Sequence, residues 1–598
     1  MTIKEHIRIA NCSGYYGDKL SAARDLIEGG PIDILTGDYL AELTMGILYD
    51  QKLQRGDDKG YVGTFLKQYK DIAILCKEKG IKIVVNAGGL NPTSMCDEIN
   101  KINQELNLDL KVAYIDGDDI VDELKHLQSK GEDFIHIDKN QPLSKSDCEV
   151  LTANTYLGAW GIVKALELGA DVVICPRVTD ASLVIGPAAW KFGWKRDDFD
   201  KLAGALAAGH IIECGAQATG GNYSFFKEVQ TFKNIGYPIA EIYDDGSFVI
   251  TKHENTGGLV SKGTVTAQLL YEISTPEYIN PDVIGHFDSL TINDLGNDRV
   301  FVSGCIGSPP KDTHKVCINL AGGYRNGMEL IITGLDIEKK ADIFVTALFD
   351  LLGGKDKYDD VTIDLFRTDK PNPNSHEEAM AILRITLKSK DPKLVGRIFT
   401  AKIIELALAN YPGFFSKETP GPGSPFIRYW PCLIDSKYVS EQIHFKGEEH
   451  IVLPTSIEIE EFEQSKSVAS IKIDKKIYED FAINPLGRII GARSGDKGGC
   501  ANIGIWAKNT ESYSFIYHFL TVEELKRLLP DLAHYPIERY EFSNIQSLNF
   551  YINGILEDGV SSNTKVDALA KSLGEYLRAK YVNIPKEIMD KEDYVRKN

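Results

Sequence analysis

The sequence predicts an α/β protein: a mostly parallel sheet with helices on both faces in the N-terminal core, then a β-rich middle part and a small α+β unit. Three observations predict it. Over the first 190 residues, unbroken apolar runs of strand length alternate with helical patterns, as expected of strands covered on both faces by crossover helices. From about residue 240 the segments are shorter, β-rich and punctuated by turns. Past the acidic, Ser/Lys-containing stretch near residues 457 to 476, a Gly-rich run opens a last unit. At 598 residues the chain is too long for one ordinary domain. The expected division is a core over 1–455 with a β-rich insertion at roughly 240–330, a linker over 456–486, and an α+β domain over 487–598.

In order, HIRIANCSG reads as a strand, and DKLSAARDLIEGG as a helix closing on a Gly pair. IDILTGD is the second strand, followed by the helices YLAELTMGILYDQKLQ and FLKQYKDIAILCKEKG. IKIVVNAGG is a strand, SMCDEINKINQELN a helix and KVAYIDGDD a strand. NTYLGAWGIVKALELGA is a helix running into the strand DVVICPRVTD. An open sheet is favoured over a closed barrel. In the middle part, GSFVITKHENTGG, RVFVSGCIG and HKVCINLAGG carry strand patterns, and ETPGPGSPF is a rigid loop. The last unit holds TVEELKRLLPDL, SNIQSLNFYING and ALAKSLGEYLRAKYV, a mixture of helices and strands.

Composition bounds the function. A net charge of −19, with no Lys/Arg block, excludes general binding to nucleic acid or an acidic membrane. No apolar run reaches the 18 or so residues of a membrane span, and the N-terminus lacks a signal-peptide core. The ten cysteines include no C-x-x-C pair, so reduced thiols in a cytoplasmic protein are expected. An oligomer of identical chains stays open.

The chemistry-bearing residues collect after the apolar strands. Asn11 follows the first strand, Thr36 and Asp38 the second, and Asn86, Gly88 and Gly89 the third; Asp116 follows the fourth, and Arg177, Thr179 and Asp180 the fifth. In parallel α/β proteins these positions share the edge where ligands bind. Asp38 with Glu42 equally fits a helix start, where carboxylates cap orphan N–H groups and meet the positive end of the dipole. In AAGHIIECGAQATGGNYSFF, His210 and Glu213 are three apart and share a helical face. They fit a metal pair, a base oriented by a carboxylate, or a structural pair. Cys214 is a candidate nucleophile or an inert buried thiol. Gln217, Gly220, Gly221 and Asn222 belong to a Gly-rich turn that exposes N–H groups to an anion or carbonyl. GARSGDKGGCANIG places Arg493 and Lys497 among glycines, as a phosphate or carboxylate loop or as a tight turn. It is not a Walker A sequence, and no G-x-G-x-x-G follows a strand, so no nucleotide cofactor has a motif here.

The blocks GGPIDILTGDYLAELTM, VNAGGLNP, LGADVVICPRVTDASLVIGPAAW, GHIIECGAQATGGNYS, NTGGLVSKGTVTAQLLYEI and ARSGDKGGCANIGIWA resemble those of the acyclic terpene utilisation AtuA family. The resemblance runs from about residue 6 to about 584, and the last unit resembles the family's ferredoxin-like domain. Pro176 stands where the family block carries Gly. The resemblance implies catabolism of acyclic terpenes or branched acyl-CoA compounds. It points to a C–C lyase that cleaves a branched 3-hydroxyacyl-CoA of the 3-hydroxy-3-isohexenylglutaryl-CoA type and releases acetate. The alternatives are a hydratase or hydrolase of a carboxylic acid or acyl-CoA, or a non-catalytic partner subunit. For retro-aldol cleavage the base falls to His210 or Asp180. The electrophile falls to Arg177 or to a divalent metal held by Asp38, Glu42 and Glu213. Thr36, Asn86, Gly88 and Gly89 would line the carbonyl pocket, and Arg493 and Lys497 would meet the phosphates.

Overall fold

The structure, a computed structural model, describes residues 5–419, 421–458 and 471–589. Positions 459–470 of the expected linker and 590–598 of the expected last domain lie outside the described residues. The N-terminal core is built on β1 (His6–Asn11), β2 (Ile34–Gly37), β3 (Lys82–Val85), β4 (Val112–Asp116), β5 (Val150–Thr155) and β6 (Val172–Ile174). Five of these lie side by side and parallel in the order β1, β2, β3, β6, β4. Their alternation explains why the strands read as continuous apolar runs. Ile34, Val84 and Val173 face a cluster that includes Ile162, Leu183 and Leu206 from helices Trp160–Glu167, Ser182–Phe192 and Phe199–Ile212. Their neighbours Leu35, Ile83, Val85, Val172 and Ile174 face a second cluster, with Leu26, Phe65 and Ile99 from helices on the other side. Both faces are therefore dry, which an alternating polar pattern would not permit.

The sheet as a whole is not mostly parallel, contrary to expectation. β7 (Ile239–Tyr243) joins β1 antiparallel, and β8 (Phe248–Thr251), Arg299–Ser303 and Thr291–Gly296 extend that side. Glu441–Phe445 and Glu448–Val452 extend the β4 side, also antiparallel. Four of the ten pairings are parallel. The middle part returns through hairpins, which need only short turns, whereas each parallel pairing needs a crossover. The eleven strands form an open path with two free ends.

A second sheet is organised by the 21-residue strand Thr313–Thr333. It pairs antiparallel with Ser424–Asp435, Met380–Ser389 and β5. β5 thus leaves the main sheet, and the segment read as the start of a helix at residue 154 is strand through Thr155. The C-terminal unit has a four-stranded antiparallel sheet in which Cys500–Ala507 of the hairpin Ile490–Lys497/Cys500–Ala507 pairs with Ser547–Ile552, and that strand pairs in turn with Ile537–Phe542. Phe481–Pro485, inside the expected linker, pairs with Tyr581–Pro585 and so belongs to this unit. Trp506, Phe542 and Ile545 enter the large apolar cluster of the core, so the two units share a packed interface. Among the described residues no helix is long and apolar enough to cross a membrane.

Candidate functional site

Asn11, at the end of β1, fixes the geometry of the site. Its Nδ2 lies within bonding distance of the carbonyls of Ser13 (2.9 Å), Ile212 (2.8 Å) and Glu213 (2.9 Å). Thr36 donates to Asn11 Oδ1 at 3.2 Å, so its hydroxyl is spent on this latch. The latch ties the last turn of helix Phe199–Ile212 to the strand ends, and so brings His210 and Glu213 to the same edge as Asp38. Asp38 Oδ1 accepts from Asn86 Nδ2 at 2.6 Å, while Asn86 Oδ1 accepts from the Tyr39 N–H at 2.8 Å. Asn86 therefore positions Asp38. The N–H groups of Gly88 and Gly89 bond to the carbonyls of Cys175 (3.0 Å) and Asn86 (3.4 Å), so both serve the turn, not a ligand. At Gly88 a Cβ would stand 2.7 Å from the Cys175 oxygen, which requires glycine.

Arg177, only 3% exposed, donates to Asp180 at 2.8 Å and to the Leu40 carbonyl at 3.2 Å, with its guanidinium 4.4 Å from the Tyr156 ring centre. Tyr156 donates to Glu42 at 3.0 Å, and Lys315 lies 3.9 Å from the same carboxylate. His210 and Glu213 do share a face: Nδ1 and Oε1 are 3.0 Å apart, and the imidazole packs on Tyr278 and Phe287. Glu213 Oε2 is buried with no hydrogen-bond partner among the described residues. From the other unit, Lys497 reaches to 5.3 Å from the Tyr278 ring centre. Lys571 donates to Glu272 at 2.6 Å and to Asp496 at 3.2 Å.

These groups set each other's protonation. Burial, reinforced by the charges of Asp180 and Glu213 and opposed by Arg177, holds the Asp38 carboxyl well above the usual range. Burial and Asp180 raise Glu213 likewise, against Lys497. Asp496 is pushed up to about 7 by burial and Glu272. Glu42 is the exception: burial raises it, but Lys315 and Arg177 outweigh burial and bring it to about 2. Burial and then Lys497 lower His210 to about 4, so its imidazole is neutral at pH 7. Cys214 is pushed well above the ordinary thiol value by burial, then by Glu272 and Glu213, and stands as a thiol, not the thiolate a nucleophile requires.

Several expectations change. Among the described residues no group of three or more His, Cys, Asp or Glu is placed to hold a metal ion. Asp38, Glu42 and Glu213 are thus not assembled as ligands, because Glu42 turns to Tyr156 and Lys315. The N–H groups of Gly220 and Gly221 close tight turns onto Gln217 and Ala216, and Gln217 Oε1 accepts from Arg493. Of the two readings of GARSGDKGG, the tight turn is the one formed: the stretch is a β-hairpin strand whose turn is Gly498–Gly499. Arg493 and Lys497 are four residues apart on one strand, about 13 Å at the usual rise, and do not meet at one anion. Lys497 faces the crevice of Asp38, Asp180, His210 and Glu213; Arg493 lines a separate cavity with Asn222. Sequence reasoning missed Tyr156, Lys315, Glu272 and Lys571. Nothing local marks them, since only the packing of distant segments brings them together.

The arrangement can move protons between buried carboxyls and can stabilise a developing anion with Arg177 and Lys497. A family model described as acyclic terpene utilisation family protein AtuA matches residues 7–445, and one described as AtuA ferredoxin-like domain matches 484–583. No curated protein and no solved structure matches.

Proposed function

The chain belongs to the acyclic terpene utilisation AtuA family, and from that premise we propose that it is a catabolic C–C lyase acting on a branched 3-hydroxyacyl-CoA of the 3-hydroxy-3-isohexenylglutaryl-CoA type. The observation that carries this reading is the pair of buried carboxyls, Asp38 and Glu213, both held well above the usual carboxyl range by burial and gathered beside the buried guanidinium of Arg177. In the proposed reaction an ionised carboxylate of this cluster takes the proton of the tertiary hydroxyl. The electrons of that O–H bond form the ketone, and those of the broken C–C bond pass to the departing carboxymethyl group as an enolate. Arg177 and Lys497 stabilise its negative charge. A protonated carboxyl of the same cluster then delivers a proton to carbon, giving acetate and a 3-oxoacyl-CoA. Neutral His210 holds Glu213 in place through its Nδ1, and Asn86 does the same for Asp38.

The test is incubation of the purified chain with 3-hydroxy-3-isohexenylglutaryl-CoA, with product analysis. Acetate and the 3-oxoacyl-CoA are expected in equal amounts. A dehydrated acyl-CoA or free CoA as the product would assign the crevice to water removal or thioester hydrolysis. No turnover in buffer with chelator or with any added divalent metal would remove the lyase reading.

A further inference from the structure

A cavity of about 450 Å³ lies where residues 222–232 of the core meet the C-terminal unit, and it contains none of the carboxyls assigned above to the reaction. Its wall carries Arg493, 7% exposed, which makes no ion pair among the described residues. The guanidinium lies 4.2 Å from the centre of the Tyr271 ring, and one Nη donates to Gln217. Its Nε has no hydrogen-bond partner among the described residues. A buried cation left in this state carries a desolvation cost that a bound anion would offset. The other charges in the wall are already satisfied. Lys571 is bonded to Glu272 and Asp496, and Glu575 is paired with Arg578 at 2.6 Å. Phe226 and Phe232, in the same wall, are 56% and 49% exposed, so packing within the chain does not account for them.

We propose that this cavity binds a small organic anion, its carboxylate or phosphate headgroup on Arg493 and its apolar or planar body against Phe226 and Phe232. A guanidinium fits either oxyanion, and aromatic side chains take an alkyl body or a stacked ring. The site is a second one, independent of the lyase reading, because it needs no group of the Asp38 crevice.

The test is calorimetric titration of the full chain with AMP, octanoate and inorganic phosphate, and with adenosine and octanol as uncharged analogues. AMP or octanoate is expected to bind, and its uncharged analogue at least about tenfold more weakly; which anion binds tells phosphate from carboxylate. Arg493→Gln is expected to lose at least about tenfold in affinity for that anion. The double variant Phe226→Ser, Phe232→Ser is expected to weaken binding with an unchanged thermal midpoint, since both side chains are exposed. If Arg493→Gln does not fold, this pair and the charged-against-uncharged comparison decide the matter. The proposal is overturned if neither organic anion binds, if Arg493→Gln binds like the parent, or if inorganic phosphate binds as tightly as the better organic anion.

Discussion

Asp38 is costly in its ionised form, since burial, Asp180 and Glu213 all disfavour the charge and only Arg177 and the Asn86 bond relieve it. The amide isostere removes that charge while keeping the shape. Asp38→Asn is therefore expected to lower turnover of the proposed substrate by about 100-fold or more while leaving the thermal midpoint equal or higher. A midpoint that falls by several degrees would mean the carboxylate is structural. The Asn86 hydrogen bond favours the ionised form, so Asn86→Ala should raise the Asp38 pKa further. The limb of the pH–rate profile set by Asp38 then moves to higher pH, a shift that mere loosening of the turn would not produce. Cys214→Ser should keep turnover within about threefold, because a thiol held this far above its ordinary value does no nucleophilic work. At this scale the legible residues are those placed at the ends of strands and helices. Asp38, Arg177 and Asp180 stand at strand ends, and His210 and Glu213 at a helix end, and a parallel α/β topology sends such positions to one edge. Lys315 carried no such mark, because it lies within a strand and not at its end, and it meets Glu42 and Tyr156 only when they arrive from elsewhere.

The elements that were legible are those whose apolar residues face two cores. Ile83, Val84 and Val85 fill opposite clusters in turn, and a run of that kind reads as a parallel strand without reference to its partners. The edges of the sheet were not legible, because an antiparallel neighbour depends on which hairpin returns to which side, and the local pattern is the same in either case. The hairpin Ile490–Lys497/Cys500–Ala507 was only half legible, since its glycines fit a ligand loop or a tight turn equally, and they answer to packing. A Cβ at Gly504 would stand 2.5 Å from Leu270 Cβ and 2.9 Å from the Leu270 oxygen, so the strand lies directly on the core backbone. Gly504→Val should push the hairpin off that segment at a cost of about 1–3 kcal/mol. It should also withdraw Lys497 from Tyr278, so turnover should fall along with the denaturation midpoint. Full activity in this variant would show that the hairpin does not position the crevice.

Across the whole molecule, burial of ionisable groups sets the pH at which the fold is most stable. Asp118 and Glu441 are raised to about 8, chiefly by burial, and Asp496 to about 7. In the unfolded chain these carboxyls titrate near 4. Between about pH 4 and their folded-state values of 7 to 8 the unfolded state has lost their protons while the folded state retains them, so stability falls as pH rises. His210 and His136 act in the opposite sense. Both are lowered to about 4 by burial, so below about 6.5 the unfolded chain takes up protons that the folded chain refuses, and their share of the stability falls with falling pH. Three raised carboxyls outnumber the two imidazoles, so the carboxyl trend prevails and the optimum lies on the acid side of pH 6.5; each carboxyl contributes at most about 1.4 kcal/mol per pH unit up to its folded-state value. Asp118 separates the sources, because it accepts from Asn154 at 2.8 Å and from the Arg177 N–H, away from the solvent. Urea unfolding at pH 6.5, 7.5 and 8.5 should show the parent losing stability across the series. Asp118→Asn, which is neutral throughout, should show a slope shallower by one group's share. A parent more stable at pH 8.5 than at 6.5, or an unchanged slope in Asp118→Asn, would mean that these carboxyls are ionised in the folded chain and that the crevice beside Arg177 is wetter than its packing indicates.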